Sequence, residues 1–191
     1  MQVIPTKIPG CYELQPRVLK DQRGYFVKTF HHDIFAEYGL ETNFAEEYYS
    51  FSHQRVLRGL HFQLPPYEHT KLVYCVLGEV LDVVVDLRIG SPTVGQFVTF
   101  ELSVEKANII YIAPGLAHGF YVNSNSAIMV YKVTTVYSPE HDGGIRWDSV
   151  GIPWPDNHPI LSERDRGFVP LHEFKSPFVF RHGPNFDYEE K

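Results

Sequence analysis

A histidine, a carboxylate, tyrosines and several cations are spaced along this chain in a way that would serve proton transfer on an anionic ligand. The stretch Val56-Leu57-Arg58-Gly59-Leu60-His61-Phe62-Gln63-Leu64-Pro65-Pro66 sets Arg58 and His61 among apolar neighbours, and a proline pair then bends the chain. Lys71 opens the apolar run Lys71–Val76. Further on stand His118 after Pro114-Gly115, Tyr131 and Lys132 in an apolar strand, Tyr137, and Asp165 in Leu161-Ser162-Glu163-Arg164-Asp165. Taken singly, each has a structural reading: a satisfied core histidine, a surface cation, a cross-strand tyrosine, a capping aspartate. Together they supply a base, a carboxylate to orient it, hydroxyl acids and positive charge for an anion. Strand ends beside a turn, on a rigid sheet, would aim Arg58, His61 and Lys71 into one cleft.

The elements that must hold these residues read as β-structure. Short strands are expected at Cys11–Leu14, Pro16–Leu19 and Tyr25–Phe30, with a turn at Asp21-Gln22-Arg23-Gly24. One short helix is expected at Ile34–Tyr38, with Asp33 as N-cap and Gly39 as stop. Asn43–Phe51 reads as extended, and from Lys71 strands follow at Lys71–Val76, Val80–Leu87, Gln96–Leu102, Ile109–Ile112, His118–Val122 and Ala127–Thr135. Within Val80–Leu87, Leu81, Val83, Val85 and Leu87 should face one way and Val80, Asp82, Val84 and Asp86 the other. Strands at spacings of about 10 residues with Gly/Pro turns point to a sandwich, barrel or jelly roll. The 191 residues fit one domain, 1–191, with strands and an extended arm over 1–30 and a Pro-rich aromatic tail over 168–191 that is either an arm over a partner or partly frayed.

Composition narrows the function classes. Apolar residues at 43% and aromatics at 15% are enough for a large core and too many for a disordered chain. A formal charge of −6 without a basic run argues against nucleic acid as partner. No apolar window is long enough for a membrane span or signal peptide, so a soluble, cytoplasmic protein is expected. Cys11 and Cys75 have no metal-ligand spacing and read as buried free thiols.

A set of motifs, in unbroken order over roughly residues 10–170, carries a family resemblance. These are Arg58-Gly59-Leu60-His61-Phe62-Gln63, the run from Gly78 to Arg88, Ser91-Pro92-Thr93, Pro114-Gly115-Leu116-Ala117-His118-Gly119-Phe120, Tyr131-Lys132, Ser138-Pro139-Glu140-His141 and Leu161–Asp165. Together they resemble the dTDP-4-dehydrorhamnose 3,5-epimerase family. The resemblance implies an all-β cupin jelly roll (a double-stranded β-helix) with short helices, working as a homodimer with exchanged N-terminal strands and without metal or other cofactor. It implies His61 as catalytic base, Asp165 as the carboxylate orienting it, Tyr131 as proton donor and Lys71 as the cation near the C4 oxygen. Arg58 and His118 match further substrate contacts. Arg23, beside Phe26, matches a diphosphate contact reached from the partner subunit, and Tyr137 an aromatic that seats nucleotide and sugar. The ligand implied is a nucleotide-diphosphate 4-keto-6-deoxyhexose, inverted at C3, C5 or both on the way to a deoxysugar of a cell-surface polysaccharide or related glycoconjugate.

The residues suit that chemistry. Abstraction of a proton α to a ketone needs a base of near-neutral pKa, and imidazole has roughly 6.5. Asp165 would fix its tautomer and stabilise the imidazolium. Lys71 would meet the developing enolate, where one donor is worth about 3 kcal/mol. Inversion needs a second proton source on the opposite face, and Tyr131 supplies one.

Three positions depart from the family pattern where the nucleotide is read: Lys28 in place of Glu, Glu46-Glu47-Tyr48 in place of Gln-Asp-Asn, and Asp142 in place of Glu. With Arg164, the residues Lys28, Glu47, Tyr48 and Asp142 complete the expected binding set. An ammonium in place of a carboxylate reverses charge and hydrogen-bond sense, so a carrier other than dTDP, such as a cytidine or guanosine diphosphate, is expected. Two rival readings are a metal-dependent cupin isomerase or dioxygenase and a non-catalytic sugar-nucleotide binding module. The first wants His-x-His where the chain has His61-Phe62-Gln63.

Overall fold

Two antiparallel sheets lie face to face and bury the main core between them. The computed structural model describes residues 1–181. The strands are β1 (Gln2–Pro5), β2 (Cys11–Gln15), β3 (Val18–Asp21), β4 (Gly24–Val27), β5 (Glu46–His53), β6 (Leu57–Gln63), β7 (Lys71–Leu77), β8 (Glu79–Asp86), β9 (Phe97–Ser103), β10 (Ile109–Ile112), β11 (Leu116–Val122), β12 (Ser126–Val133) and β13 (Asp142–Gly144). The six-stranded sheet runs β1-β2-β10-β7-β12-β5, the five-stranded sheet β13-β6-β11-β8-β9, and β3–β4 form a separate hairpin. This is a jelly roll, one of the three architectures that the strand spacing and Gly/Pro turns left open and the one the family resemblance implies.

Alternation decides what each face meets. On β12, Ala127, Met129, Tyr131 and Val133 are buried and point between the sheets, while Ile128, Val130 and Lys132 are only partly covered. On β8, Val80 and Val84 join the same central core, whereas Val83, Val85 and Leu87 turn to the outer side, as the sequence pattern predicts. That outer side is covered by Ile145, Ile152, Trp154, Leu171, Phe174 and Phe178. The segment after Phe168 therefore packs on its own chain through Phe174 and Phe178, and Phe180 N donates to Ile89 O. The expectation of a frayed or partner-seeking tail fails over 168–181, because these aromatics cover an otherwise bare apolar face; the acidic end Asp187–Lys191 lies outside the described residues.

Two further local expectations are corrected. The first helix, α1, spans His32–Glu37, with His31 at the N-cap, and Asp33 sits inside its first turn paired with the His32 ring. The strand expected over Tyr25–Phe30 ends at Val27. The connection from β7 to β8 depends on Gly78, which lies at φ +79° where a Cβ would meet Ser126 O at 2.0 Å. A single residue thereby carries the chain from one sheet to the other. Both cysteines are free and buried, as expected.

Candidate active site

The site opens between the sheets, and each sheet supplies half of it. From the five-stranded sheet, β6 brings Arg58 and His61 and β11 brings His118, with His118 and His61 paired in register. Gly59 lets these two strands close up: it has φ +140°, and a Cβ there would lie 2.6 Å from Gly119 Cα. From the six-stranded sheet come Lys71 on β7, Tyr131 on β12, and Glu46, Tyr48 and Ser50 on β5. Tyr137, Asp142 and Arg164 complete the rim of a cavity of about 380 Å³. Arg58 and His61 thus stand within a strand and only Lys71 at a strand end.

His61 is a quarter exposed, and its Nε2 lies 2.8 Å from Oδ1 of a buried Asp165. The short helix α2 (Glu163–Arg166) positions that carboxylate: Ser162 caps it, its Oγ accepting from Asp165 N at 3.1 Å. Asp165 Oδ2 also accepts from Gly59 N at 3.2 Å. Burial works to raise the Asp165 pKa, but the hydrogen bonds from His61, Gly59 and the capping turn outweigh it and hold the group ionised. An ionised carboxylate can only accept, so Nε2 of His61 donates and Nδ1 is left as the basic nitrogen. Burial lowers the His61 pKa below its ordinary value against the pull of Asp165, and the nearby Arg164 and Lys71 charges add to the lowering.

Lys71 is buried, and its Nζ donates to His61 O at 3.1 Å. Burial brings its pKa down to about 8 in spite of Asp142. Tyr131 is buried too, and burial pushes its hydroxyl well above the usual tyrosine range, so it holds its proton and can donate it. Its ring stacks on Tyr48, and its hydroxyl lies 3.5 Å from Ser50 Oγ. His118 pairs with Asp82 at 2.7 Å, both buried. At the rim, Asp142 accepts from Arg164 and, at 3.5 Å, from the Tyr137 hydroxyl. Arg58 is held by Ser52 Oγ at 2.9 Å and Phe51 O at 3.2 Å.

Four expected site residues lie elsewhere. Arg23, Phe26 and Lys28 belong to the β3–β4 hairpin and its exit, exposed and away from this cavity, with Arg23 paired to Asp21. Glu47 is a correction: the alternation of β5 turns it to the outer face, where it pairs with Lys132 at 2.8 Å, and places Glu46 in the cavity instead. Glu46, Ser50, Gln63 and His69 line the cavity though none was in the expected binding set; the period of β5 could have found the first two. Among the described residues no cluster of three or more His, Cys, Asp or Glu is gathered as for a metal ion.

A jelly roll whose cavity holds a His–Asp pair, a protonated tyrosine and a buried lysine is a cupin-type fold with groups suited to proton transfer. Comparison with known proteins gives the family. A family model described as dTDP-4-dehydrorhamnose 3,5-epimerase matches residues 5–173. The dTDP-4-dehydrorhamnose 3,5-epimerase of Shigella flexneri is 45% identical over 168 residues, 86% of this chain and 93% of that one. That of Methanothermobacter thermautotrophicus is 44% identical, over 89% of this chain and 94% of the other. A crystal structure of the Legionella pneumophila dTDP-6-deoxy-D-glucose-3,5-epimerase with dTDP-4-keto-L-rhamnose superposes with TM-score 0.89 at 36% identity, covering 95% and 98% of the two chains. A 3′-monoepimerase from Streptomyces bikiniensis, bound to dTDP-quinovose, superposes at 0.83 with 32% identity over 88% and 87%. The chain belongs to the dTDP-4-dehydrorhamnose 3,5-epimerase family, and it is an isomerase of nucleotide-linked deoxysugars.

Proposed function

We propose that this enzyme inverts both C3 and C5 of a 4-keto-6-deoxyhexose carried on thymidine diphosphate, without metal or redox cofactor. The observation that carries the reading is the convergence of His61–Asp165, Lys71 and Tyr131 on one cavity. His61 Nδ1 takes the proton α to the C4 ketone, and the electron pair moves onto the C4 oxygen as an enolate. Lys71 stabilises that oxygen with its positive charge. Tyr131 returns a proton to the carbon from the other face as the electron pair comes back, which inverts the centre. Arg58, His118 and Arg164 bind the anionic substrate. Water then reprotonates the tyrosinate and takes the proton from His61. C3 and C5 both flank the ketone, so one constellation serves both.

Thymidine diphosphate replaces the other carriers expected from the sequence for three reasons. The relatives at 44–45% identity are named for dTDP. Glu47 faces outward, which leaves Glu46, Tyr48 and Asp142 as the altered wall of the chain's own cavity. A carboxylate at Glu46 can only accept, and thymine N3–H is a donor where cytosine N3 is an acceptor, which disfavours a cytidine carrier. The enzyme acts as a homodimer in the cytoplasm and feeds deoxysugar synthesis for a cell-surface glycoconjugate. Support for the compartment is the pair of buried free thiols.

The test uses the sugar nucleotide in deuterium oxide. Label is expected at C3 and C5 with inversion, and dTDP should bind more tightly than CDP or GDP by calorimetry. His61→Asn should lose both exchange and inversion by roughly 10²–10⁴-fold. Tyr131→Phe should keep exchange with retention and lose inversion. Exchange by His61→Asn at the wild-type rate would remove the base, and preference for CDP or GDP would remove the carrier.

A further inference from the structure

We infer that Tyr48 is a positioning residue for the acid: its ring, stacked on Tyr131, holds the hydroxyl on the face of the sugar opposite His61. The inference rests on Tyr131 being the acid. Tyr48 and Tyr131 are direct partners in the β5–β12 register. Their ring centroids are 4.9 Å apart and the planes 16° from parallel. The hydroxyl of Tyr131 has Ser50 Oγ within reach, but at 3.5 Å that contact is too long to fix its direction. The His118 ring stands at a steep angle 6.2 Å away and leaves the face of the tyrosine to Tyr48. The core around Tyr131 limits its ring from the inner side, and on the side of the cavity the stack with Tyr48 is the ordered aromatic contact that does so.

Placement of the acid has a chemical readout. Once His61 has taken the proton, the enolate has two fates. His61 can return a proton, exchanged with solvent, to the same face, or Tyr131 can deliver its own to the other. The first gives label with retention and the second gives inversion. Their ratio depends on how much of the time the tyrosine hydroxyl is aligned with the carbon. A residue that merely lined the sugar pocket would change KM and leave this ratio alone.

The experiment measures, by NMR in deuterium oxide with thymidine-diphosphate-linked 4-keto-6-deoxyglucose, the ratio of retained to inverted label. Wild type, Tyr48→Phe, Tyr48→Ala, Tyr48→Asn and Tyr131→Phe are compared. Tyr48→Ala and Tyr48→Asn should raise the ratio about two- to tenfold, the size of effect one aromatic pair exerts. Tyr48→Phe keeps the stacked ring and should stay within about twofold of wild type. An unchanged ratio with a raised KM in the Ala and Asn variants would overturn the inference. So would a Phe variant as impaired as the Ala variant, since the hydroxyl and not the stack would then be at work. Loss of inversion in Tyr131→Phe together with an unchanged ratio in Tyr48→Ala removes this inference alone. Normal inversion by Tyr131→Phe removes the functional reading and this inference with it.

Discussion

Burial of both His61 and Lys71 sets the pH range in which the site can work. His61 must be neutral to act as base, and burial keeps its pKa below the ordinary histidine value, so the base form persists to lower pH than in a free imidazole. Lys71 must be charged to meet the enolate, and its pKa lies at about 8, so its charge is lost as pH rises through that value. For kcat/KM this predicts a bell with an acid limb below roughly 6.5 and an alkaline limb near 8. Lys71→Met removes the group that titrates at the alkaline end. Its plateau should fall by about 10²-fold, the worth of one well-placed charge at a developing oxyanion, and its alkaline limb should vanish. A variant that kept the limb near 8 would assign that ionisation to another group.

At the scale of the strand, period and pairing decide which polar groups are free for chemistry. Gln63 stands where a metal cupin would place the second imidazole of His-x-His, but its oxygen accepts from Ser138 N at 2.7 Å and its amide donates to Tyr67 O at 2.8 Å. An amide saturated by its neighbours is no ligand, and of the three imidazoles lining the cavity His61 and His118 are each held by a carboxylate while His69 is paired with Thr135 Oγ1 at 3.1 Å. Activity should therefore survive exhaustive chelation; loss on chelation, with recovery on adding one metal, would favour the rival cupin reading. The same logic explains what the sequence could reveal. Strands such as β8 and β12 were legible because alternation over seven or eight residues has one consistent reading. That His61, Lys71 and Tyr131 line one cavity was legible because each is a polar residue set in or at the start of an apolar strand run. Glu47 misled because adjacent acids on a strand point to opposite faces, and choosing between them requires the register of β5 with β12. Helix α2, four residues long, is too short for a periodic signal, and Ser162 capping Asp165 shows itself only once the fold brings them to His61.

The whole molecule leaves apolar surface that one chain does not cover. The β3–β4 hairpin exposes Leu19 at 47%, Tyr25 at 56% and Phe26 at 60%, and the outer face of β5 exposes Tyr49 at 72% and Phe51 at 48%. Arg23, expected on the substrate diphosphate, rides on that hairpin outside its own chain's cavity. A hairpin entering a second copy would resolve both facts, because it would bury the aromatics and deliver the cation. Light scattering should accordingly give twice the 22.1 kDa chain mass at micromolar concentration. Mixing gives the sharper test. Arg23→Ala leaves the cavity's His61 in place, and His61→Asn leaves the hairpin intact, so a mixed dimer joins one unaltered hairpin to one unaltered cavity. Two weakly active homodimers, dissociated and reassociated together at equal amounts, should recover about a quarter of wild-type sites, the statistical share for a symmetric pair. If Arg23 served its own cavity, no combination of the two chains would restore a site, and the mixture would show only the average of its parents. A monomer with full activity would remove the exchange altogether.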